Sequence, residues 1–203
     1  MADGPDVDGT RFGSAVDDYS VHRADFPSAG IDRMVALGVG TPGQRLLDLG
    51  CGTGTLARQF AARGCTVTGT DVDARMLAAG GALAESAGLD VSWRECPAED
   101  TGLGSASFDV VTAAQCWHWF DGDAAAAEVG RLLVPGGRVA VCGFDWLPLP
   151  AAGAAQNRMT IACAPAQVAK RLCRPVAPLS PCCAAVALSR HCRPVAPLSP
   201  CRA

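Results

Sequence analysis

Short apolar runs alternate with amphipathic stretches along residues 28–150. The apolar runs have the length and composition of buried strands, and the stretches between them place apolar residues at helical spacing. The predicted strands are Arg45–Leu49, Cys65–Thr70, Val91–Glu95, Phe108–Ala113 and Arg138–Gly143. Strands that alternate with helices in this way predict an α/β fold, with a Rossmann-like, doubly wound, mostly parallel sheet between two helical layers.

Capping and turn residues set the limits of the predicted helices. Ser28, Asp73 and Asp123 are polar residues of the kind that precede or open a helix. Pro135-Gly136-Gly137 predicts a turn into the fifth strand. The predicted helices are Ser28–Leu37, Gly54–Arg63, Asp73–Ala87 and Asp123–Leu133.

The composition changes abruptly near residue 150. The first 150 residues carry all 20 acidic residues, ten of the 17 basic ones and every aromatic side chain. The remainder carries six of the 11 cysteines, half of the 14 prolines, and the repeat C-R-P-V-A-P-L-S-P-C at Cys173–Cys182 and Cys192–Cys201. Without aromatic residues and with frequent prolines, this segment is not expected to form a core. The sequence therefore predicts a flexible lead-in over 1–27, a core over 28–150 and a disordered, low-complexity tail over 151–203.

Three functional interpretations of the tail have little support: a disulfide framework, a zinc site, and a basic arm that binds nucleic acid or a membrane. A disulfide framework needs a secreted context, and the cysteine spacing lacks the C-x-x-C pairs of zinc sites. Its seven basic residues are too spread out for a nucleic-acid or membrane arm. We hypothesise instead that the tail is a shifted-frame or otherwise aberrant C-terminus. Sequencing the coding DNA tests this, because an intact frame with the same tail in independent isolates contradicts it.

The overall composition, 49% hydrophobic and 18% charged, is typical of a globular protein. No apolar run approaches the roughly 20 residues that a membrane helix needs. The N-terminus is acidic and lacks the apolar stretch of a secretory signal. We therefore expect a cytoplasmic protein with reduced cysteines, no metal site, and neither a membrane nor a nucleic acid as partner. The oligomeric state stays open.

An acid and three glycines stand at the end of the first strand, in L-L-D-L-G-C-G-T-G-T-L-A at Leu46–Ala57. Glycines at 50, 52 and 54 let the chain turn sharply before a helix N-terminus, which is typical of nucleotide binding. Dinucleotide-binding domains need G-x-G-x-x-G/A, but Thr55 occupies the third glycine position. The carboxylate of Asp48, two residues before the first glycine, favours a cationic ligand such as S-adenosylmethionine over a pyrophosphate.

Five motifs in this order resemble those of the class I S-adenosylmethionine-dependent methyltransferases, specifically the methyltransferase type 11 group. The resemblance covers roughly Phe12 to Asp145 and implies methyl transfer from S-adenosylmethionine to a small-molecule acceptor. The family's last two strands should follow residue 150, where the sequence offers only short candidates such as Met159–Cys163 and Cys183–Leu188. The alternative is therefore a catalytically inactive S-adenosylmethionine-binding remnant without an acceptor pocket, whose fifth strand is an open sheet edge. The motifs are D-L-G-C-G-T-G (Asp48–Gly54), G-T-D-V-D-A-R-M-L (Gly69–Leu77), C-P-A-E-D (Cys96–Asp100), F-D-V-V-T-A-A-Q-C-W-H-W-F-D (Phe108–Asp121) and L-L-V-P-G-G-R-V-A (Leu132–Ala140).

The resemblance also implies a set of cofactor-binding residues. The loop glycines would admit the methionine part of the cofactor, and Asp48 would face its ammonium group. Asp71, at the end of the second strand, would bind both ribose hydroxyls. The implied residues are Asp48, Gly50, Cys51, Gly52, Gly54, Asp71, Val72, Met76, Ala98, Glu99 and Gln115.

The adenine end departs from the family pattern. Val72 and Met76 would border the adenine, as in the family. Pro97, however, stands where many relatives have an acid that accepts from the adenine amino group. Ala98 and Glu99 are therefore the candidates for backbone or side-chain contacts in its place, and adenine recognition is expected to be weaker than in those relatives.

Aromatic residues follow the fourth strand, where the transferred methyl group should emerge. The resemblance places Trp117 and Trp119 at the substrate pocket, and because they are adjacent only one of them can face it squarely. His118 between them is a candidate general base for a hydroxyl or amine acceptor. The alternative is a histidine that only packs and forms structural hydrogen bonds.

Overall fold

A six-stranded sheet organises the computed structural model, which describes residues 26–147 and 156–165. A single turn of 3₁₀-helix covers Trp117–Trp119. The helices are α1 (Ser28–Ala36), α2 (Thr55–Ala61), α3 (Ala74–Ser86) and α4 (Gly122–Leu132). The strands are β1 (Arg45–Leu49), β2 (Thr66–Asp71), β3 (Val91–Glu95), β4 (Phe108–Ala114), β5 (Leu133–Leu147) and β6 (Gln156–Pro165).

The strand order is β3-β2-β1-β4-β5-β6, with the first five strands parallel to their neighbours. This confirms the predicted Rossmann-like parallel sheet. The observed limits of β1 and β3 are those predicted: β1 is a short, mostly apolar run, and β3 begins with alternating apolar and polar residues. Reversal of the strand order at β1 places the loops that follow β1 and β4 side by side, where ligands bind in such sheets.

Two hydrophobic clusters cover the two faces of the sheet. Leu46 of β1 joins Ile31 of α1 and Phe60 of α2 on one face. Leu47, its neighbour in the strand, joins Val129 of α4 on the other face. Successive side chains of β1 thus enter opposite clusters, which confirms that helices pack on both faces of the sheet, as a doubly wound fold requires.

The sixth strand differs from the prediction of a disordered tail. Gln156–Pro165 pairs antiparallel with β5 over ten residues, so β5 is not the open edge that the sequence predicts. The physical reason is local, since this stretch has no proline before Pro165 and contains the β-branched Thr160 and Ile161. The other residues of the predicted tail, and the lead-in before residue 26, lie outside the described residues.

Three local expectations need correction. Pro27, not Ser28, occupies the cap position of α1, and no side chain bonds there. Asp121 caps α4 in place of Asp123, because its carboxylate accepts from the amides of Asp123 and Ala124. The Pro135–Gly137 turn lies inside β5 as an irregularity where the register with β4 shifts. Asp73 caps α3 as predicted. Among the described helices, none has the length and apolar character needed to cross a membrane.

Candidate functional site

The candidate site lies at the carboxyl ends of β1, β2 and β4, which are adjacent in the sheet. The glycine loop follows β1, Asp71 ends β2, and the segment from Gln115 to Asp121 follows β4. Parallel strands end at the same edge, so the sheet brings together three motifs that are far apart in the chain.

The glycine loop has a backbone that side chains disfavour. Gly50, Gly52 and Gly54 have φ values of 60°, 57° and 72°, in the left-handed region. A Cβ on Gly50 would lie 2.9 Å from Sγ of Cys116 and 3.0 Å from the Phe120 ring. The loop therefore needs glycine both for its conformation and for its close approach to the segment after β4.

Asp71 is tied directly to the glycine loop. Its Oδ2 accepts a 2.8 Å hydrogen bond from the amide of Gly52, and its Oδ1 accepts a 3.0 Å bond from the amide of Asp73. A carboxylate offers about four acceptor positions, so the two bonds orient the group and leave acceptor capacity on both oxygens. Asp71 can thus accept from a pair of hydroxyls while holding the loop.

Asp48 is buried beneath the same loop, with 1% of its surface exposed. Its Oδ1 accepts a 2.7 Å hydrogen bond from the hydroxyl of Thr112 on β4. The pKa of Asp48 is raised to about 7, mainly by burial and to a smaller extent by the nearby charge of Asp71, while hydrogen bonds from the Thr112 hydroxyl and the Ala57 amide oppose the rise. Asp48 therefore titrates near neutral pH.

A small cavity of about 30 Å³ is lined by both Asp48 and the glycine loop. Gly50 and Gly52 line it on the loop side, and Phe26 and Ala114 also contribute. This volume suits one water molecule or a group of that size. It can take the ammonium end of a ligand, while a nucleoside has to lie outside it along the loop.

The remaining predicted cofactor residues differ in exposure. Val72 is 55% exposed beside Asp71, whereas Met76 and Ala98 are buried, at 4% and 5%. Glu99 is bound to the chain itself, since its Oε1 accepts a 2.8 Å bond from the amide of Asp121. Met76 and Ala98 thus have little surface to offer a ligand, and Glu99 already braces the segment after β4.

The two cysteines of the site are protonated thiols. Burial raises the pKa of both Cys51 and Cys116 well above the ordinary cysteine value, and the charges of Asp48 and Asp71 raise it further. Cys116 donates to the carbonyl of Leu49 at 3.1 Å. These thiols are suited to packing rather than to nucleophilic chemistry.

The aromatic segment after β4 begins with a strained residue. Gln115 has a φ of 64°, unusual for a residue with a side chain. Trp117 packs against the hydrophobic cluster under α4 and meets Phe120 edge-on at 5.8 Å. Trp119 is 52% exposed, and its ring lies 4.8 Å from that of the exposed His118. The structure therefore separates the two tryptophans into a packed one and an exposed one.

The sequence reasoning missed two residues that support the site. Thr112 holds Asp48, and Trp93 packs against Gly54 of the loop. Both are register neighbours across the sheet, Thr112 of Asp48 and Trp93 of Gly69. These two residues could have been identified only from the order and register of the strands, which the amino-acid sequence alone does not reveal. Across the described ranges, no group of three or more potential metal ligands occurs.

Comparison with known proteins relates this geometry to one family. The methyltransferase domain family matches residues 47–141. An uncharacterized methyltransferase of Mycobacterium tuberculosis is 38% identical over 136 residues, which are 66% of this chain and 51% of that protein. The ubiquinone/menaquinone biosynthesis C-methyltransferase UbiE of Ralstonia pickettii is 36% identical over 150 residues, 68% of this chain and 61% of that one.

A solved structure shares the fold. It is phosphoethanolamine N-methyltransferase 2 of Haemonchus contortus in complex with phosphomonomethylethanolamine and S-adenosylhomocysteine, with a TM-score of 0.59 and 28% identity. The match covers 68% of this chain and 34% of that one. The chain spans about half to three fifths of the length of the curated relatives.

Proposed function

Residues 47–141 belong to the methyltransferase domain family, and on that premise we propose that the chain binds S-adenosylmethionine and transfers its methyl group to a small-molecule acceptor. The observation that carries the proposal is the Asp71 carboxylate, which the Gly52 amide fixes at 2.8 Å beside the glycine loop. This hydrogen bond places a carboxylate that can accept from two hydroxyls directly beside a loop that a ligand can approach closely.

The residues present fit the cofactor. Asp71 would hold the ribose, and the glycine loop would admit the methionine part. The small cavity above buried Asp48 would take the ammonium group, whose positive charge stabilises the carboxylate form of Asp48. Val72, exposed beside Asp71, would cover part of the adenine. When bound, S-adenosylmethionine supplies a methyl group on a positively charged sulfur, an activated donor.

The chain's own contribution is then mainly positioning. The loop and Asp71 fix the donor, and the Trp117–Trp119 turn exposes an aromatic surface at the same edge of the sheet. Alignment of donor and acceptor lowers the barrier by several kcal/mol without acid–base chemistry. His118 is exposed on this turn and is the proposed base where the acceptor must lose a proton.

The acceptor class is proposed only as a small molecule. The relatives support this, since one is a ubiquinone/menaquinone biosynthesis C-methyltransferase and another a phosphoethanolamine N-methyltransferase. A second candidate is a protein that binds S-adenosylmethionine without catalysis. It is favoured by the loss of all acidic and aromatic residues after residue 150, in the stretch where the family's last strands and part of the acceptor pocket are expected.

Calorimetry with S-adenosylhomocysteine tests the shared part of both candidates. The full chain is expected to bind it, whereas no binding by folded, monodisperse protein contradicts both. Turnover of labelled S-adenosylmethionine with a panel of small hydroxyl, amine and carbon acceptors then separates them. Transfer to any acceptor supports the enzyme, and binding without transfer to the panel supports the second candidate.

A further inference from the structure

One tryptophan occupies space that glycines on three different elements leave free. Trp93 lies on β3, the edge strand of the sheet. A Cβ on Gly54 of the loop would lie 2.2 Å from Cη2 of the indole, and one on Gly80 of α3 would lie 2.9 Å from it. A Cβ on Gly69 of β2 would lie 3.0 Å from Cζ3. Packed atoms do not approach as closely as a Cβ at Gly54 or Gly80 would, and a Cβ at Gly69 would be in tight contact, so the position of the indole depends on these glycines.

A row of residues across the sheet explains how the indole reaches the loop. Thr112, Asp48, Gly69 and Trp93 are successive register neighbours on β4, β1, β2 and β3. Register neighbours point to the same face of a sheet. Because Gly69 has no side chain, the face between Asp48 and Trp93 is open, and the indole extends across it to Gly54.

Gly54 closes the turn that carries the ligand-facing amides. Its own amide donates to the carbonyl of Cys51 at 2.9 Å, with Gly52 inside the turn. The Gly52 amide in turn donates to Asp71. Contact with the indole therefore fixes one end of a turn whose middle orients the Asp71 carboxylate.

We infer that Trp93 is a positioning residue for the cofactor, holding the Gly54 turn, and through it Gly52 and Asp71, in the geometry that binds S-adenosylmethionine. The inference rests on the proposed function. Trp93 is distinct from the residues that would touch the cofactor, because it acts from β3 through the backbone of the loop.

The test compares Trp93→Leu with Val91→Ala, a buried residue two positions earlier on the same face of β3. Calorimetry with S-adenosylhomocysteine is expected to show roughly five-fold weaker binding for Trp93→Leu, about 1 kcal/mol by the relation of affinity to free energy. Val91→Ala is expected to lower the melting temperature while leaving the affinity within about two-fold of wild type, since core packing alone does not fix the loop. Equal affinities of Trp93→Leu and wild type overturn the inference.

A measurement without ligand separates this inference from the proposed function. Hydrogen exchange of the amides from Gly52 to Thr55 is expected to be faster in Trp93→Leu than in Val91→Ala. If wild-type protein fails to bind S-adenosylhomocysteine, the proposed function fails, and unchanged exchange in Trp93→Leu independently overturns the positioning role.

Gly69→Ala covers the case in which Trp93→Leu does not fold. The added methyl group lies 3.0 Å from the indole and from Sγ of Cys51, so the indole must shift by a few tenths of an ångström. Weaker binding of S-adenosylhomocysteine by the folded Gly69→Ala protein is expected, and partial recovery in the double variant with Trp93→Leu supports the coupling. Wild-type affinity in Gly69→Ala contradicts it.

Discussion

The proposed cofactor half of the site (Asp48–Gly54 and Asp71–Asp73) is linked by hydrogen bonds between its own two segments, whereas the proposed acceptor half (Gln115–Asp121) is fixed at both of its ends by residues outside it. Within the cofactor half, Gly52 and Asp73 both donate to Asp71. In the acceptor half, the amide of Gln115 donates to Cys142 of β5, and the amide of Asp121 donates to Glu99.

From this difference we expect cofactor binding to be the constant function of the site and acceptor binding to be the variable one. The proposed cofactor half has its central hydrogen bonds within the turns that follow β1 and β2, and only Thr112 of β4 and Trp93 of β3 support it from outside. The acceptor half depends on β5 and on the loop after β3, where substitutions can reshape it.

Gly50→Ala is expected to have the largest effect, because Gly50 is the point where the two halves touch. Its left-handed φ costs alanine about 1 kcal/mol. Overlap of the added methyl with Cys116 raises the total loss of unfolding free energy to about 3 kcal/mol. Urea denaturation measures both this variant and Gly88→Ala, which has a φ of 64° and no heavy atom within 4 Å of its Cβ position. Equal losses in the two variants would show that the halves do not press against each other.

Asp71→Ala is expected to weaken S-adenosylhomocysteine binding by about ten-fold or more. The substitution removes the ribose acceptor and leaves the Gly52 amide without its partner, and each charged hydrogen bond is worth about 1.5–3 kcal/mol. Calorimetry checks the affinity, with Asp123→Ala, an exposed acid on α4, as the matched control. Unchanged affinity in Asp71→Ala means that the ribose lies elsewhere.

The pH dependence of binding is expected to follow Asp48, with affinity for S-adenosylhomocysteine rising about five-fold from pH 6 to pH 8. Since burial raises the pKa of Asp48 to about 7, the carboxyl is largely neutral at pH 6 and largely ionised at pH 8, and only the ionised form attracts an ammonium. Asp48→Asn, which keeps the acceptor for Thr112, is expected to flatten the profile. A wild-type profile that is already flat contradicts the placement of the ammonium.

The same group has the opposite effect on the unliganded protein. A carboxyl whose folded pKa is above its ordinary value of 3.8 favours folding most when protonated. This contribution is complete below about pH 4 and is lost as the pH rises through about 7. Stability without ligand and affinity for the ligand therefore change in opposite directions near neutral pH.

Trp119→Ala is expected to have the smallest effect on folding, less than about 0.5 kcal/mol, because the side chain is half exposed. Its affinity for S-adenosylhomocysteine should stay at the wild-type value, while methyl transfer to an acceptor falls. Trp117→Ala, which removes a packed neighbour of Phe120, is expected to lower the unfolding free energy by about 2–3 kcal/mol. Urea denaturation measures the stability of both variants, and calorimetry measures their affinity for S-adenosylhomocysteine. A loss of this affinity in Trp119→Ala would contradict the division of the site into a cofactor half and an acceptor half.

Much of the fold follows from periodicity and turn residues. The limits of β1 and β3 and the cap at Asp73 are local properties of the sequence, and the structure confirms them. The cap at Asp121 was missed because two acids, Asp121 and Asp123, both precede an apolar periodic stretch. For strand β6 the sequence predicts only the short candidate Met159–Cys163, because the surrounding prolines dominate the composition, and the observed strand extends it on both sides.

The site was harder to predict than the fold, since its contacts join distant parts of the chain. The glycine loop and Asp71 stand out singly in the sequence, but the hydrogen bond between them needs the strand order. Glu99 was predicted to contact adenine, and only the structure places the Asp121 amide within its reach. Spacing along the chain identifies polar residues at strand ends without identifying their partners.

The position of β1 also has a consequence for the order in which the protein folds. Its neighbour β2 follows almost at once in the chain, whereas its other neighbour, β4, follows only after α3 and β3. Non-local pairings form late because long loops must close first. During synthesis the strand that carries the glycine loop is therefore an exposed, apolar sheet edge until β4 arrives, which makes this the stage at which the nascent chain is most prone to aggregate.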